Sequence, residues 1–149
     1  MLIRVHHLAV HNIFYCIDKT VLKFFQFHLQ ECPFDYNSLN IILTELVSNA
    51  IKFSPEDRIE VFIYAKATPS FFELICEDKG RGIPEDEIEK ILEPFYQYNR
   101  KYYEQQGGGL GLTIVNKLVT IFNGKLTIES KVDEGTKVKI FVPLDDEAE

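Results

Sequence analysis

Three groups of residues in this chain have types and spacings suited to chemistry on an anion. Glu45, Asn49 and Lys52 are separated by four and then three positions, so a helix would hold them in contact range. The Asn oxygen can ligate a hard cation, the Lys can neutralise phosphate, and the Glu can orient or deprotonate a nucleophile. The same row is equally a solvated helix face. Asp78 opens the run Asp78-Lys79-Gly80-Arg81-Gly82-Ile83-Pro84. Alternation puts it on the side of Phe72, Leu74 and Cys76, which directs a carboxylate toward the interior, where it needs donors. The exocyclic amine of a base is a suitable donor, and Gly80 and Gly82 leave room for a flat ring. Asp78 could also simply open a turn. Finally, Gly107-Gly108-Gly109-Leu110-Gly111-Leu112 places four of the eight glycines in six positions, directly before an apolar helical pattern. Such a loop lets backbone N–H groups and a helix N-terminus face phosphate, although glycine loops also serve as hinges.

These residues need elements to position them. Leu39, Ile42, Leu43, Leu46, Val47, Ala50 and Ile51 share one face of a helix over residues 38–53, capped by Asn37 or Ser38, with the Glu45–Asn49–Lys52 stripe on the opposite side. Ile13, Ile17, Val21 and Phe24 predict a helix over residues 13–25, and Phe27 and Leu29 a short strand. Residues 59–65 and 72–76 alternate as hairpin-like strands about Thr68-Pro69-Ser70. Residues 84–92 predict a short helix with acidic residues in its first turn, and residues 93–106 a loop. The helix after Gly111 ends near Asn123-Gly124, and strands over residues 125–130 and 137–142 turn at Asp133-Glu134-Gly135. The expected fold class is α+β, a two-layer α/β sandwich with helices packed on one face of a mixed, mostly antiparallel sheet.

The chain has 149 residues, 46% of them hydrophobic, which suits one domain over residues 1–144 followed by the acidic tail 145–149. A net charge of −7 with no basic tract argues against a nucleic-acid partner. No apolar run reaches a membrane span and the N-terminus has no signal-peptide layout, so a cytoplasmic setting without direct membrane contact by this domain is expected, either free or as the cytoplasmic part of a membrane-bound sensor. Cys16, Cys32 and Cys76 lack metal-ligand spacing and are expected to be reduced, mostly buried thiols.

Taken together, four segments in order resemble the ATP-binding fold shared by gyrase, Hsp90, histidine kinases and MutL (the Bergerat fold), and within it the catalytic domain of sensor histidine kinases. Leu43 through Ser54, with Glu45, Asn49 and Lys52, resembles the N box. Asp78 through Pro84 resembles the first glycine box, Glu93-Pro94-Phe95-Tyr96 the F box, and Gly107 through Leu112 the second glycine box. The last two strands, through Gly135-Thr136 to Val142-Pro143-Leu144, complete a likeness over residues 37–144.

The resemblance implies that Asn49 holds Mg²⁺ against the phosphates of ATP, with Glu45 also metal-facing, where many histidine kinases have Asn. It implies that Lys52 contacts phosphate, that Phe53 lies near adenine or ribose, and that Asp78 takes the adenine amine with help from Thr136. Gly80, Gly82 and Ile83 would shape the base pocket. Gly107, Gly108, Gly109, Leu110, Gly111 and Leu112 would wrap the phosphates, under a lid at residues 97–106. The Arg that often follows the F-box aromatics is Gln97 here, with Arg100 or Lys101 as substitutes. The implied partners are a histidine phosphoacceptor/dimerisation domain and, downstream, a response regulator. His6, His7, His11 and His28 lack the phosphoacceptor context, so the acceptor histidine is expected outside this chain, and the domain is expected to be a monomer with ADP as product. Two rivals remain: an anti-sigma-factor-type protein serine kinase, and a non-enzymatic nucleotide-sensing domain. Dinucleotide binding is excluded, because the glycines follow a lid rather than a strand.

Overall fold

A computed structural model describes residues 13–17, 20–25, 32–98 and 109–144. Six strands form one sheet: β1 (Ile13–Ile17), β2 (Thr20–Phe25), β3 (Ile59–Thr68), β4 (Phe71–Asp78), β5 (Lys125–Lys131) and β6 (Gly135–Pro143). Their order is β1-β2-β3-β4-β6-β5. Among the described residues only the β2–β3 pairing is parallel, so the sheet is mixed and mostly antiparallel, as expected. The helix expected over residues 13–25 is a correction. Its described residues, Ile13–Ile17 and Thr20–Phe25, form the antiparallel pair β1–β2. Their run of aromatic and β-branched residues favours strands, and β3 supplies a partner that no local pattern contains. The strand expected at Phe27 and Leu29 lies outside the described residues.

Two helices, α1 (Tyr36–Phe53) and α2 (Gly111–Ile121), contact each other and the sheet. The α1 cap is Asp35, not Asn37 or Ser38. Its Oδ1 accepts from the backbone N–H of Asn37 at 2.9 Å and of Ser38 at 3.0 Å, and Ser38 Oγ donates to Oδ2 at 2.6 Å. The carboxylate thus satisfies two orphan donors, and Ser38 becomes its supporting third helical residue. α2 stops where Asn123 takes φ 56°, with Asn123 N–H on the Thr120 carbonyl and Gly124 N–H on the Val119 carbonyl. That is a Schellman end built on Asn. The helix expected over residues 84–92 is instead two 3₁₀ turns, Glu85–Glu87 and Lys90–Leu92. Their bonds run three residues back, and neither turn buries a residue that would extend it.

The core lies between the helices and the inward face of the sheet. Leu39, Ile42, Leu43, Leu46, Val47 and Ala50 of α1 join a cluster with Val115 and Val119 of α2, Phe72, Leu74 and Cys76 of β4, and Val138, Ile140 and Val142 of β6. Phe34 closes one end, edge-on to Phe72 and Phe122 at 5.8 and 4.9 Å. Burying each large aliphatic side chain is worth ~1.5–3 kcal/mol, so this cluster fixes where α1 lies on the sheet. Among the described residues no helix is long and apolar enough to cross a membrane.

Candidate functional site

β4 ends the alternation Phe72, Leu74, Cys76 on Asp78, and all four are buried. Asp78 is 8% exposed, and its Oδ1 accepts from the backbone N–H of Gly80 at 2.8 Å and of Thr136 at 3.3 Å. No hydrogen bond from the described residues reaches Oδ2. Burial pushes the Asp78 pKa up to about 6 against the pull of those two N–H groups. Two glycines make this corner possible. Gly82 has φ +67° and lies against the Lys131 carbonyl; Gly135 has φ +109° and lies against the Asp78 carbonyl. A Cβ at either position would collide with backbone. Arg81 ties the turn at both sides, its N–H on the Phe53 carbonyl at 3.1 Å and its carbonyl accepting from Asp133 N–H at 2.8 Å.

Asp78 lies at one end of a cavity of about 400 Å³ between α1, the sheet and the start of α2. The cavity is also lined by Glu45, Asn49, Lys52, Phe53, Gly82, Ile83, Gly109, Leu110, Gly111, Leu112 and Thr136, which the structure therefore brings together. Gly80 sits behind this wall, against the Phe53 carbonyl and Asp78 Oδ1. Arg100, Lys101, Gly107 and Gly108 lie outside the described residues, as do His6, His7, His11 and His28.

At the far end, Glu45 and Asn49 are half-buried and Lys52 is exposed. Glu45 and Asn49 flank the apolar face of α1 instead of opposing it, whereas Lys52 shares the outer side with Ile41, Thr44 and Ser48. This flank faces α2: a Cβ on Gly111 would meet Glu45 Oε2 and lie 3.6 Å from Asn49 Nδ2. The α2 N-cap, Leu110, makes no side-chain capping bond, and Thr113 Oγ1 anchors the first turn to the Leu92 carbonyl at 3.0 Å. Glu45 and Asn49 are one turn apart on α1, so a carboxylate oxygen and, with the Asn49 amide turned, an amide oxygen can serve a hard cation that keeps most of its shell in water and phosphate. Among the described residues no three His, Cys, Asp or Glu side chains cluster as a closed metal cage. Lys52 and Arg81 lie 5.2 and 4.6 Å from the Phe53 ring centre. Burial and then the like charge of Arg81 hold the Lys52 ammonium below its ordinary pKa.

Cys76 and Arg81 also line the cavity and were not assigned to it by the sequence, and Tyr96 of the F-box run lines it together with Gln97 and Tyr98 from the start of the expected lid. Burial, then Asp78, pushes the Cys76 thiol up to about 12, so it is inert floor. Arg81 lies inside the glycine-box run, and its position was legible there though its contact with Phe53 was not. Residues 93–98 are irregular, as expected of a loop. Within them Phe95 has φ 66° and is 69% exposed, its N–H on the Gly109 carbonyl at 3.1 Å. Tyr96 donates to Glu87 Oε2.

Comparison with known proteins adds independent findings. The family model described as histidine kinase-, DNA gyrase B-, and HSP90-like ATPase matches residues 34–146. Autoinducer 2 sensor kinase/phosphatase LuxQ of Vibrio vulnificus (strain YJ016) is 36% identical over 140 residues, 87% of this chain and 16% of that protein. Histidine protein kinase DivJ of Caulobacter vibrioides is 32% identical over 114 residues, 76% of this chain and 19% of its own length. The chain thus spans less than a fifth of these relatives. Among solved structures, the mycobacterial sensor histidine kinase MprB superposes with TM-score 0.62 at 29% identity, covering 74% of this chain and 72% of that one. Full-length ShkA, solved in complex with AMPPNP, gives 0.60 at 27%, covering 71% and 21%.

Proposed function

The chain belongs to the histidine kinase-, DNA gyrase B- and HSP90-like ATPase family and is homologous to the ATP-binding catalytic domains of sensor histidine kinases; from that premise we propose that residues 1–144 act in the cytoplasm as one Mg²⁺·ATP-dependent protein-histidine kinase unit. The observation that carries this reading is the single cavity joining Asp78 at one end to Glu45, Asn49 and the start of α2 at the other. Asp78 accepts the adenine amine on its open oxygen. Phe53 and Ile83 flank the base. Lys52 and the N-terminal N–H groups of α2 hold the phosphates by charge and hydrogen bonding. Asn49 and Glu45 would hold Mg²⁺, which neutralises phosphate charge when bound. The γ-phosphorus–oxygen bond to ADP breaks as a bond forms to an imidazole nitrogen of a histidine on a separate dimerisation domain, and an aspartate of a response regulator then takes the phosphoryl group. Such transfer is mostly positioning and charge neutralisation, which this site supplies. Phe95, exposed beside the cavity, is the contact point we assign to the acceptor domain. The isolated domain is a monomer.

The test is calorimetry with ATP and AMPPNP, with and without Mg²⁺, on wild type and Asp78→Asn. Mg²⁺-sensitive binding lost in the variant supports the site, and a folded wild type that binds neither nucleotide overturns it. Asn49→Asp, which sets a like charge against phosphate, is expected to abolish transfer to a histidine domain; near-normal transfer removes Asn49 from the mechanism. Acid-labile product marks phosphohistidine, and acid-stable product marks a serine kinase instead.

A further inference from the structure

Beside Asp78, across the last two strands, sits a hydroxyl that lies outside the cavity. Asp78 of β4, Thr136 of β6 and Ser130 of β5 are register partners in one row. Ser130 Oγ has three partners, each at 2.8 Å: the Ile83 backbone N–H, the Gly135 carbonyl oxygen and Thr136 Oγ1. A serine hydroxyl has one proton and two lone pairs. The Ile83 N–H can only donate, so it takes one lone pair. The Gly135 carbonyl can only accept, so it takes the proton. The remaining lone pair is left for Thr136, which must donate. Thr136 has one proton as well, and it is spent on Ser130. Toward the cavity that Thr136 lines, its hydroxyl can therefore act only as an acceptor.

We propose that Ser130 is a specificity-determining positioning residue: by taking the Thr136 proton it makes the base end of the cavity an all-acceptor edge, selecting a purine with an exocyclic amine over one with a carbonyl at the same position. The edge consists of Asp78 Oδ2 and Thr136 Oγ1. An amine, or a water that donates twice, satisfies both. A carbonyl there leaves acceptors facing acceptors, which is costly in a buried site. The bond to Ile83 gives the same hydroxyl a second hold, on the glycine turn that walls the base. The inference rests on the ATP reading of this cavity.

The experiment measures Kd for ATP and for GTP on wild type, Ser130→Ala and Ser130→Thr, with a thermal melt of each. Loss of the acceptor in Ser130→Ala frees the Thr136 proton to point into the cavity, so the GTP-to-ATP Kd ratio is expected to narrow by ~10-fold, the scale of one hydrogen bond. Ser130→Thr, which keeps the hydroxyl, is expected to keep the wild-type ratio. If Ser130→Ala does not fold, Ser130→Cys, a weak donor and acceptor of similar size, gives the same readout. A variant that weakens both nucleotides by the same factor has only a structural defect and overturns the proposal, as does an unchanged ratio. Wild type that binds neither nucleotide overturns the ATP reading and this inference with it, whereas ATP binding with an unaltered ratio in the variant overturns this inference alone.

Discussion

The two ends of the cavity are built from different materials. At the Asp78 end, backbone meets backbone: Gly82 and Gly135, both at positive φ, sit against the carbonyls of Lys131 and Asp78, and Asp78, Thr136 and Ser130 are hydrogen-bonded through the β5–β6 hairpin. At the other end, side chain meets helix: Gly111 faces the tip of Glu45, and the start of α2 has no side-chain cap. Backbone packing of the first kind forms as the sheet forms and has no alternative arrangement. A carboxylate on a rotatable stem beside open N–H groups can be re-aimed by a ligand. Changes at the first end should therefore register in stability, and changes at the second in binding.

Gly135→Ala is the hardest test of this division. An alanine at φ +109°, with its Cβ driven into the Asp78 carbonyl, is expected to cost ~3 kcal/mol or more of unfolding free energy, measured by urea denaturation. Gly111→Ala is its counterpart. Only the Glu45 tip must move, so stability is expected to stay within ~1 kcal/mol while ATP affinity drops ~10-fold. Equal destabilisation by both would erase the distinction.

Asp78→Asn sharpens the comparison, because it separates the two readouts at one residue. The amide keeps an oxygen for Gly80 and Thr136 but turns an acceptor toward the amine into a donor, so ATP affinity is expected to fall ~100-fold by calorimetry. Stability should not fall with it. The folded pKa of Asp78, about 6, lies above its ordinary 3.8, so ionisation of this group costs the folded state nothing below pH 3.8 and the full difference above 6. The variant should gain on wild type as pH rises across that window, by ~2–3 kcal/mol at its upper end. Wild-type ATP binding should weaken as pH falls through about 6 and the carboxylate takes a proton. A variant less stable than wild type at pH 7 would mean that the carboxylate is itself part of the backbone lock.

The sequence carried the parts of this arrangement that are local. Asp78 could be placed by alternation because β4 keeps a strict period of two, and the helical period of α1 set Glu45, Asn49 and Lys52 in one row, though it put Glu45 and Asn49 on the outer side rather than on the flank they occupy. Two kinds of information were not local. Spacings of four, four and three from Ile13 to Phe24 satisfy a helix, yet the parallel partner β3 begins at Ile59, and nothing within residues 13–25 encodes it. Likewise Ser130 is an ordinary hydroxyl in an exposed hairpin until cross-strand register sets it opposite Thr136 and beside Ile83. The cap at Asp35 was legible in principle, since a carboxylate serves as well as Asn or Ser at that position.

That cap supplies the smallest effect and a reference for the rest. Asp35→Ala removes two backbone hydrogen bonds at the start of α1 and is expected to cost ~1 kcal/mol in stability. Asn49 lies fourteen residues along the helix, roughly 21 Å away at the α-helical rise. The core residues between them, Leu39 to Val47, hold the helix on the sheet whether or not its first turn frays. ATP affinity should then stay within about twofold of wild type, which is under 0.5 kcal/mol. A larger loss would show that the phosphate end takes its alignment from the whole length of α1, and that the contrast between the two ends is one between a fixed sheet and a helix that can shift upon it.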